Sequence, residues 1–192
     1  WDTVKFIVEY AKKKNKLAKK DMRITIVTNM QAMDIEKMDY LIRHNIDICT
    51  SLDGPKELHD HNRKFVGASN YDAVVKWVRR FKERYKRLND KDRRINALTT
   101  LTRKSLSYPH EIVDEYVRLG LTMIHLRFLN NLGLAKHAWK NINYSVDDYI
   151  RFWQNAVAYI DKLRLNNINI NERIVKLIFN KINTEFDPNY LD

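Results

Sequence analysis

The sequence predicts an α/β protein: a parallel sheet covered by outer helices, with further helices at its C-terminal end. Three observations predict this. Short β-branched runs alternate with longer amphipathic stretches, and strand–helix alternation with right-handed crossovers makes neighbouring strands parallel. No Gly-x-Gly-x-x-Gly turn follows any of the runs, which disfavours a dinucleotide-binding sheet and leaves an open doubly wound sheet or part of a barrel. No internal repeat, low-complexity stretch or linker divides the 192 residues, so the chain reads as a single domain, with a core over about 1–140 and a helical tail over about 145–192.

Each element has its own signature. Residues 2–18 read as an amphipathic helix with Val4, Ile7, Val8, Ala11 and Leu17 on one side. Residues 23–29 are β-branched and too short for a helix, as in a buried strand. Asp34 is placed to cap a helix whose apolar positions are Ile35, Met38, Leu41 and Ile42. A second strand over 46–52 stops at the turn signal Asp53-Gly54-Pro55, and a longer loop, 53–70, leads to a helix at 71–87. There Val74, Val75, Val78, Phe81 and Tyr85 recur at helical spacing, with Trp77 beside them and a basic face opposite. The third strand is 95–102. Ser107 or Pro109 opens the next helix, which carries Ile112, Val113, Tyr116, Val117 and Leu119, with Gly120 suited to its C-terminal cap. The fourth strand is 123–129. Two helices finish the chain, about 146–165 and 171–183; Ile150, Trp153, Val157, Ile160 and Leu163 form the stripe of the first.

Composition narrows the function. Thirty-five Lys and Arg against 24 Asp and Glu give a net charge of +11, and apolar residues make up 44% of the chain, enough for a real core. The one cysteine excludes an intrachain disulfide framework, a zinc ribbon and, within this chain, an iron–sulfur cluster held by thiolates. No apolar run approaches the roughly 18–20 residues that span a bilayer, and no signal peptide is evident. A cytoplasmic domain is expected. The positive charge sits in two helical stretches, Lys12 to Lys20 and Lys76 to Arg94. Neither stretch shows helix-turn-helix, zinc-finger or single-strand-binding features, so a solvated outer face is the expectation and nucleic-acid binding the less favoured one.

The strand ends carry the candidate chemistry. In parallel α/β folds, ligands bind at the C-terminal ends of the strands, where crossover helices leave the rim to loops. In order, those ends are Thr28-Asn29, Ser51 with Asp53, Thr100 with Thr102, and Arg127. Turn chemistry alone accounts for any one polar strand end. Four in succession point to a shared site. Ser51 and Asp53 face the same way as long as the chain stays extended.

The most informative segment is Ser51-Leu52-Asp53-Gly54-Pro55, followed by His59-Asp60-His61-Asn62-Arg63. It resembles the fourth-strand motif of radical S-adenosylmethionine (SAM) enzymes with SPASM-type C-terminal extensions, such as the sulfatase-maturating enzymes. There Ser-Leu-Asp-Gly-Pro is followed by His-Asp-x-x-Arg or a close variant. The strand ending Thr28-Asn29 is similar to the family's third strand, which usually ends Thr-Asn-Gly; here Met30 stands in place of the Gly. The spacing between the two motifs also matches. Residues 114–120, 126–129 and the tail 186–192 resemble one subgroup, the radical SAM maturase of His-Xaa-Ser peptide systems. The likeness runs along nearly the whole chain.

The resemblance implies a partial (β/α)6 barrel, of which this chain holds the last four strands. In such enzymes S-adenosylmethionine lies across the strand ends and chelates one iron of a [4Fe–4S] cluster. Its reductive cleavage gives a 5′-deoxyadenosyl radical, which abstracts hydrogen from a peptide or protein substrate. Carried over by position, Ser51 and Arg63 bind the cofactor's ribose or methionine carboxylate. Asn29 and Asp53 shape the same pocket, with Asp53 a candidate for holding the loop, and Arg127 stands at the rim. An arginine suits a carboxylate because its planar fork donates two parallel hydrogen bonds.

Departures from the family matter as much. The Cys-x-x-x-Cys-x-x-Cys loop after the first strand, the Gly-Gly-Glu segment of the second and the cysteines of the C-terminal extension are absent from this sequence. Cys49, inside a strand, reads as a buried core thiol. The expectation is a fragment of a longer parent enzyme, inactive alone and binding neither cofactor by itself. Its uncovered strand near 24–29 would invite a covering segment or a homodimer contact. A basic binding module for nucleic acid or an acidic partner, and an oligomerising interaction domain, are the alternatives. A zinc site on His59 and His61 is disfavoured because the pair follows a Gly-Pro turn instead of lying on a strand. Tyr10, Trp77, Tyr85 and Trp153 read as core or interface residues, and His44, His110, His125 and His137 as surface or packing ones.

Overall fold

A computed structural model describes residues 1–90, 93, 95–133 and 135–184. The elements run α1 (Asp2–Leu17), β1 (Ile24–Thr28), α2 (Ile35–Arg43), β2 (Ile46–Ser51), α3 (Lys56–Asn62), α4 (Asn70–Arg87) and β3 (Ile95–Thr100). A 3-10 turn (Arg103–Ser107) then leads to α5 (Pro109–Arg118), β4 (Met123–Ile124), β5 (Leu126–Arg127), α6 (Ala135–Ile142), α7 (Val146–Leu165), β6 (Asn171–Glu172) and α8 (Arg173–Asn183). The main sheet is parallel throughout and ordered β1-β2-β3-β5, and β4 pairs with β6 beside it.

Sequential strand order settles the choice left open by the sequence. A doubly wound sheet reverses its strand order and covers both faces; a sequential parallel order with right-handed crossovers keeps the helices on one side, as in a barrel wall. Burial follows that rule. Ile46, Ile48 and Thr50 of β2 and Ile95, Ala97 and Thr99 of β3 are buried on the helix side. On the alternate positions Asn96 is exposed and Val27 is 68% exposed. The fold is therefore an α/β half-barrel with an open concave face. Its core lies between the sheet and α2, α4 and α5, where Leu41, Val78, Phe81, Ile112 and Tyr116 have essentially no solvent contact.

Local signals hold where they have a cap or a stripe behind them. Asp34 accepts a hydrogen bond from the Lys37 backbone N–H at 2.8 Å and starts α2. Ser69 caps α4 in the same way, and the predicted stripe of Val74, Val75, Val78, Phe81 and Tyr85 is buried along with Trp77. Pro109, not Ser107, opens α5. Gly120, at φ +63°, ends it in a Schellman turn, with the Leu121 N–H donating to the Tyr116 carbonyl at 2.9 Å.

Elsewhere the structure corrects the expectations. Strand 24–28 is the expected edge strand, hydrogen-bonded on one side only among the described residues, but it alternates between half-buried and exposed residues instead of lying buried. The stripe of α1 is thin: Val8 is buried, but Ile7 and Leu17 are exposed, and the N-terminal end of α1 meets α2 through Trp1 on Tyr40 and Lys5 on Glu36. The segment 53–70 is not one loop, since α3 fills its middle. The fourth strand breaks at His125 into β4 and β5, each pairing with a different neighbour. The reason is Glu172, a buried carboxylate that accepts from the Leu126 N–H at 3.4 Å and from the Val175 N–H at 2.9 Å, tying the break to the start of α8. Helix α6 and the two-residue strand β6 were not expected. Tyr10 is 52% exposed and stacks on Phe6. Arg94 and the motif-bearing tail 186–192 lie outside the described residues.

Candidate functional site

The C-terminal ends of β1, β2, β3 and β5 form one rim. Register places Thr28 beside Thr50, Ser51 beside Leu98, and Thr100 beside Arg127. Asn29 follows β1 directly, so it stands on the rim next to Ser51. Its side-chain oxygen accepts from the Gln31 N–H at 3.2 Å, while Thr28 Oγ1 accepts from the Met30 N–H at 3.1 Å. Met30, where the resemblance expects glycine, keeps a left-handed backbone at φ +63° and is fully buried. The turn conformation is thus retained and the side chain is spent on packing.

The loop after β2 is locked from inside. Asp53 is 1% exposed, and its carboxylate accepts from Arg63 Nε at 2.7 Å, from Arg63 Nη2 at 3.1 Å and from the Thr100 N–H at 3.0 Å. The Asp53 N–H donates to His59 Nδ1 at 3.1 Å, so His59 carries its proton on Nε2, 3.2 Å from Asn70 Oδ1. Burial, the leading cause, holds the His59 imidazole below its ordinary pKa, and the ring is neutral at pH 7. Both ring nitrogens are therefore committed to the loop, which removes the reading of His59 as a metal ligand. Among the described residues no group of three or more His, Cys, Asp or Glu side chains is arranged to hold a metal ion.

Gly54 explains the turn between them. At φ +131° it adopts a backbone that L side chains rarely take, and a Cβ there would lie 2.9 Å from Ile112 Cγ1. The Leu52 carbonyl just before it accepts from Thr99 Oγ1 at 2.9 Å and from the Tyr116 hydroxyl at 3.0 Å. Asp60 accepts from Ser69 Oγ at 2.7 Å and from the Tyr71 N–H at 2.9 Å, fixing α3 to the start of α4. Asp53, His59 and Asp60 are each held by structural bonds, and Arg63 emerges at the end of the segment with one face against Asp53.

Beside Arg63 opens a cleft of about 800 Å³, walled by the end of α3, by Thr100 and Thr102, and by α6 with Leu129 and Leu132. That size is in the range of small-molecule sites. A second concavity, about 640 Å³, lies at the opposite rim, where Arg23 pairs with Asp47 and Arg93 with Asp90 at 2.7 and 2.9 Å. Its charges neutralise each other, and the N-terminal rim of a parallel sheet is the end where ligands are not expected.

Of the five predicted site residues, the structure brings Asp53 and Arg63 into direct contact. Arg127 stands one strand beyond Thr100, exposed. Ser51 and Asn29 share the rim without touching the pair. Among the described residues, Ser51 Oγ, the Arg127 guanidinium and Arg63 Nη1 have no protein hydrogen-bond partner, and Gln31 buries its Nε2 without one. Thr102 lies past the end of β3 and caps the 3-10 turn, with its Oγ1 donating to Asn62 Oδ1 at 3.0 Å. Sequence reasoning missed Asn62, Lys64, Lys104 and α6. The recurrence of Leu132, Ala135, Ala138 and Ile142 was the available signal for α6.

Two of the comparisons with known proteins are negative: no family model matches the chain, and no curated protein matches it. Solved structures do. The half-barrel matches the fold of part of the barrel in SPASM-type radical SAM maturases of known structure. One such structure is anSMEcpe with bound AdoMet and Kp18Cys peptide, with a TM-score of 0.75 and 19% identity, covering 93% of this chain and 48% of that one. Native anSMEcpe with bound AdoMet gives 0.73 at 20% identity with the same coverage. Streptococcus suis SuiB bound to the precursor peptide SuiA gives 0.59 at 18%, covering 79% of this chain and 31% of that one. The chain thus spans about half the length of the first pair and a third of the second.

Proposed function

We propose that this chain is part of a radical SAM maturase that modifies a peptide or protein, and that its sheet rim holds S-adenosylmethionine. The observation that carries the reading is the locked loop: a fully buried Asp53 fixes Arg63 in one orientation at the mouth of the rim cleft. The fold likeness supports it, as do the AdoMet and peptide bound to anSMEcpe and the precursor peptide bound to SuiB.

The side chains fit the cofactor chemically. With Nε and Nη2 on Asp53, Arg63 keeps Nη1 to donate to a carboxylate, and its orientation is set before the ligand arrives. Ser51 Oγ, Asn29 Nδ2 and the orphaned Gln31 Nε2 supply hydroxyl- and carbonyl-directed donors along the rim. Arg127 closes the far side. The iron–sulfur cluster does not fit this chain. Cys49 is 8% exposed within β2, and burial, the leading cause, pushes its thiol up from its ordinary pKa, away from the thiolate a cluster needs. Cluster ligands in this reading come from elsewhere in a longer protein, and the 192 residues alone do not turn over. When bound beside a reduced cluster, the cofactor supplies the radical that takes a hydrogen atom from the substrate.

The test is to express the protein with its upstream coding sequence and to reconstitute it anaerobically with iron and sulfide. Iron incorporation together with S-adenosylmethionine binding is expected. A longer protein that binds neither overturns the reading.

A further inference from the structure

We propose that Lys64 and Lys104 form an anion-recognition subsite on the α3 wall of the cleft, and that its ligand is an acidic peptide segment whose carboxylates alternate with apolar side chains. This rests on the reading above, in which the chain is part of an enzyme that modifies a peptide or protein and the cleft lies beside the cofactor rim.

The cleft has an uncompensated charge. Among the described residues the one acid in its lining, Asp53, is buried and fully occupied by Arg63 and Thr100. Lys64 follows the last residue of the locked loop and Lys104 lies in the 3-10 turn across from it. Both are exposed, and among the described residues neither has a carboxylate partner. Several other cations in this protein are already engaged. Lys82 donates to the Leu119 and Gly120 carbonyls at 2.7 and 2.8 Å, Arg93 pairs with Asp90, and Arg103 donates to the Lys140 and Asn143 carbonyls at 3.0 and 2.8 Å. His61 lines the same cleft, and partial burial, followed by the ammonium charges of Lys104 and Lys64, holds its imidazole below its ordinary pKa.

The opposite wall fixes the rest of the ligand. Leu129, Leu132, Ala135, Ala138 and Ile142 present an apolar surface, and Leu132 is 68% exposed. A ligand spanning the cleft therefore meets cations on one side and aliphatic groups on the other. S-adenosylmethionine does not answer this demand, because its single carboxylate is outweighed by a sulfonium and an ammonium and is already matched by Arg63. A peptide with alternating glutamate and leucine-like residues does.

The experiment uses the 192-residue chain at about 0.1 M salt, where remote surface charge is largely screened. Fluorescence anisotropy follows a labelled Gly-Glu-Leu-Glu-Ile-Glu-Gly peptide and its counterpart with Gln for each Glu. The expected result is preferential binding of the Glu peptide, weakened about tenfold in Lys64→Gln/Lys104→Gln. A control pair on α4, Lys86→Gln/Arg87→Gln, removes the same charge and leaves the affinity within about twofold, because interactions beyond the screening length are small. Melting curves verify that both variants are folded. Equal binding of the two peptides, binding of neither, an unchanged affinity in the cleft variant or an equal loss in both variants each overturns the proposal. S-adenosylmethionine binding by the longer protein is measured separately: its failure sinks the cofactor reading, while the Glu-against-Gln preference still decides the subsite.

Discussion

The two sides of the rim are built differently. The β2–β3 side is crosslinked: Asp53, Arg63, His59, Asn70 and the Thr100 N–H form one buried network with little room to move. The β1 and β5 sides are open: Asn29 bonds only within its own turn, and Arg127 stands exposed. The difference teaches that the two sides are finished by different means. The closed side is preorganised by its own sequence, whereas the open side offers unspent donors that acquire a defined geometry only against a ligand or a neighbouring segment. Strand β1 shows the same incompleteness in its backbone, with one edge unpaired and Val27 uncovered.

Breaking the closed side has the largest expected effect. Asp53→Ala leaves Arg63 half-buried and unpaired and the Thr100 N–H without its acceptor, at a cost of about 3–4 kcal/mol in urea unfolding. An effect under about 1 kcal/mol would show that the network is not what holds the loop.

Acid tests one histidine on each side. His59 in the locked loop and His125 at the β4–β5 break are both held below their ordinary pKa, chiefly by burial, His125 down to about 4. The unfolded chain therefore takes up protons that the native chain refuses. Stability is whole above about pH 6.5 and falls as pH drops through that value toward 4, with His125 contributing about 2–3 kcal/mol. Chemical denaturation at pH 7.5 and pH 5 measures it; equal stability at the two values would contradict the burial of both rings.

Gly54→Ala probes the turn alone. Its positive φ and the 2.9 Å approach to Ile112 Cγ1 predict a loss of about 2 kcal/mol, read as a drop in melting temperature. The smallest effect belongs to the open side. Arg127→Ala is expected to change stability by less than about 0.5 kcal/mol, since an exposed side chain without a partner contributes little.

The same contrast decides how much was legible in the sequence. The loop was legible in part: Asp53-Gly54-Pro55 signals the turn locally, and the resemblance made Asp53 a candidate for holding the loop. Helices with a cap and a full stripe, such as α4, were plain. What failed was whatever depends on distant neighbours. Nothing local in 123–129 announces that Glu172, far along the chain, will meet the strand at its break; α6 is the exception, since the spacing of Leu132, Ala135, Ala138 and Ile142 is a local helical signal that went unread. The burial of β1 was misjudged because β-branched composition is common to edge and central strands. His59 was weighed as a metal ligand because its two bonding partners, the Asp53 N–H and Asn70, meet it only in the fold.

The central claim is that Arg63, fixed by Asp53, receives the carboxylate of S-adenosylmethionine at the rim. The direct measurement is the S-adenosylmethionine dissociation constant of the anaerobically reconstituted longer protein, wild type against Arg63→Lys. A lysine keeps the charge but cannot hold Asp53 and a carboxylate with one planar fork. The account predicts affinity weaker by about tenfold or more with iron content unchanged. Equal affinity in the two proteins would contradict it.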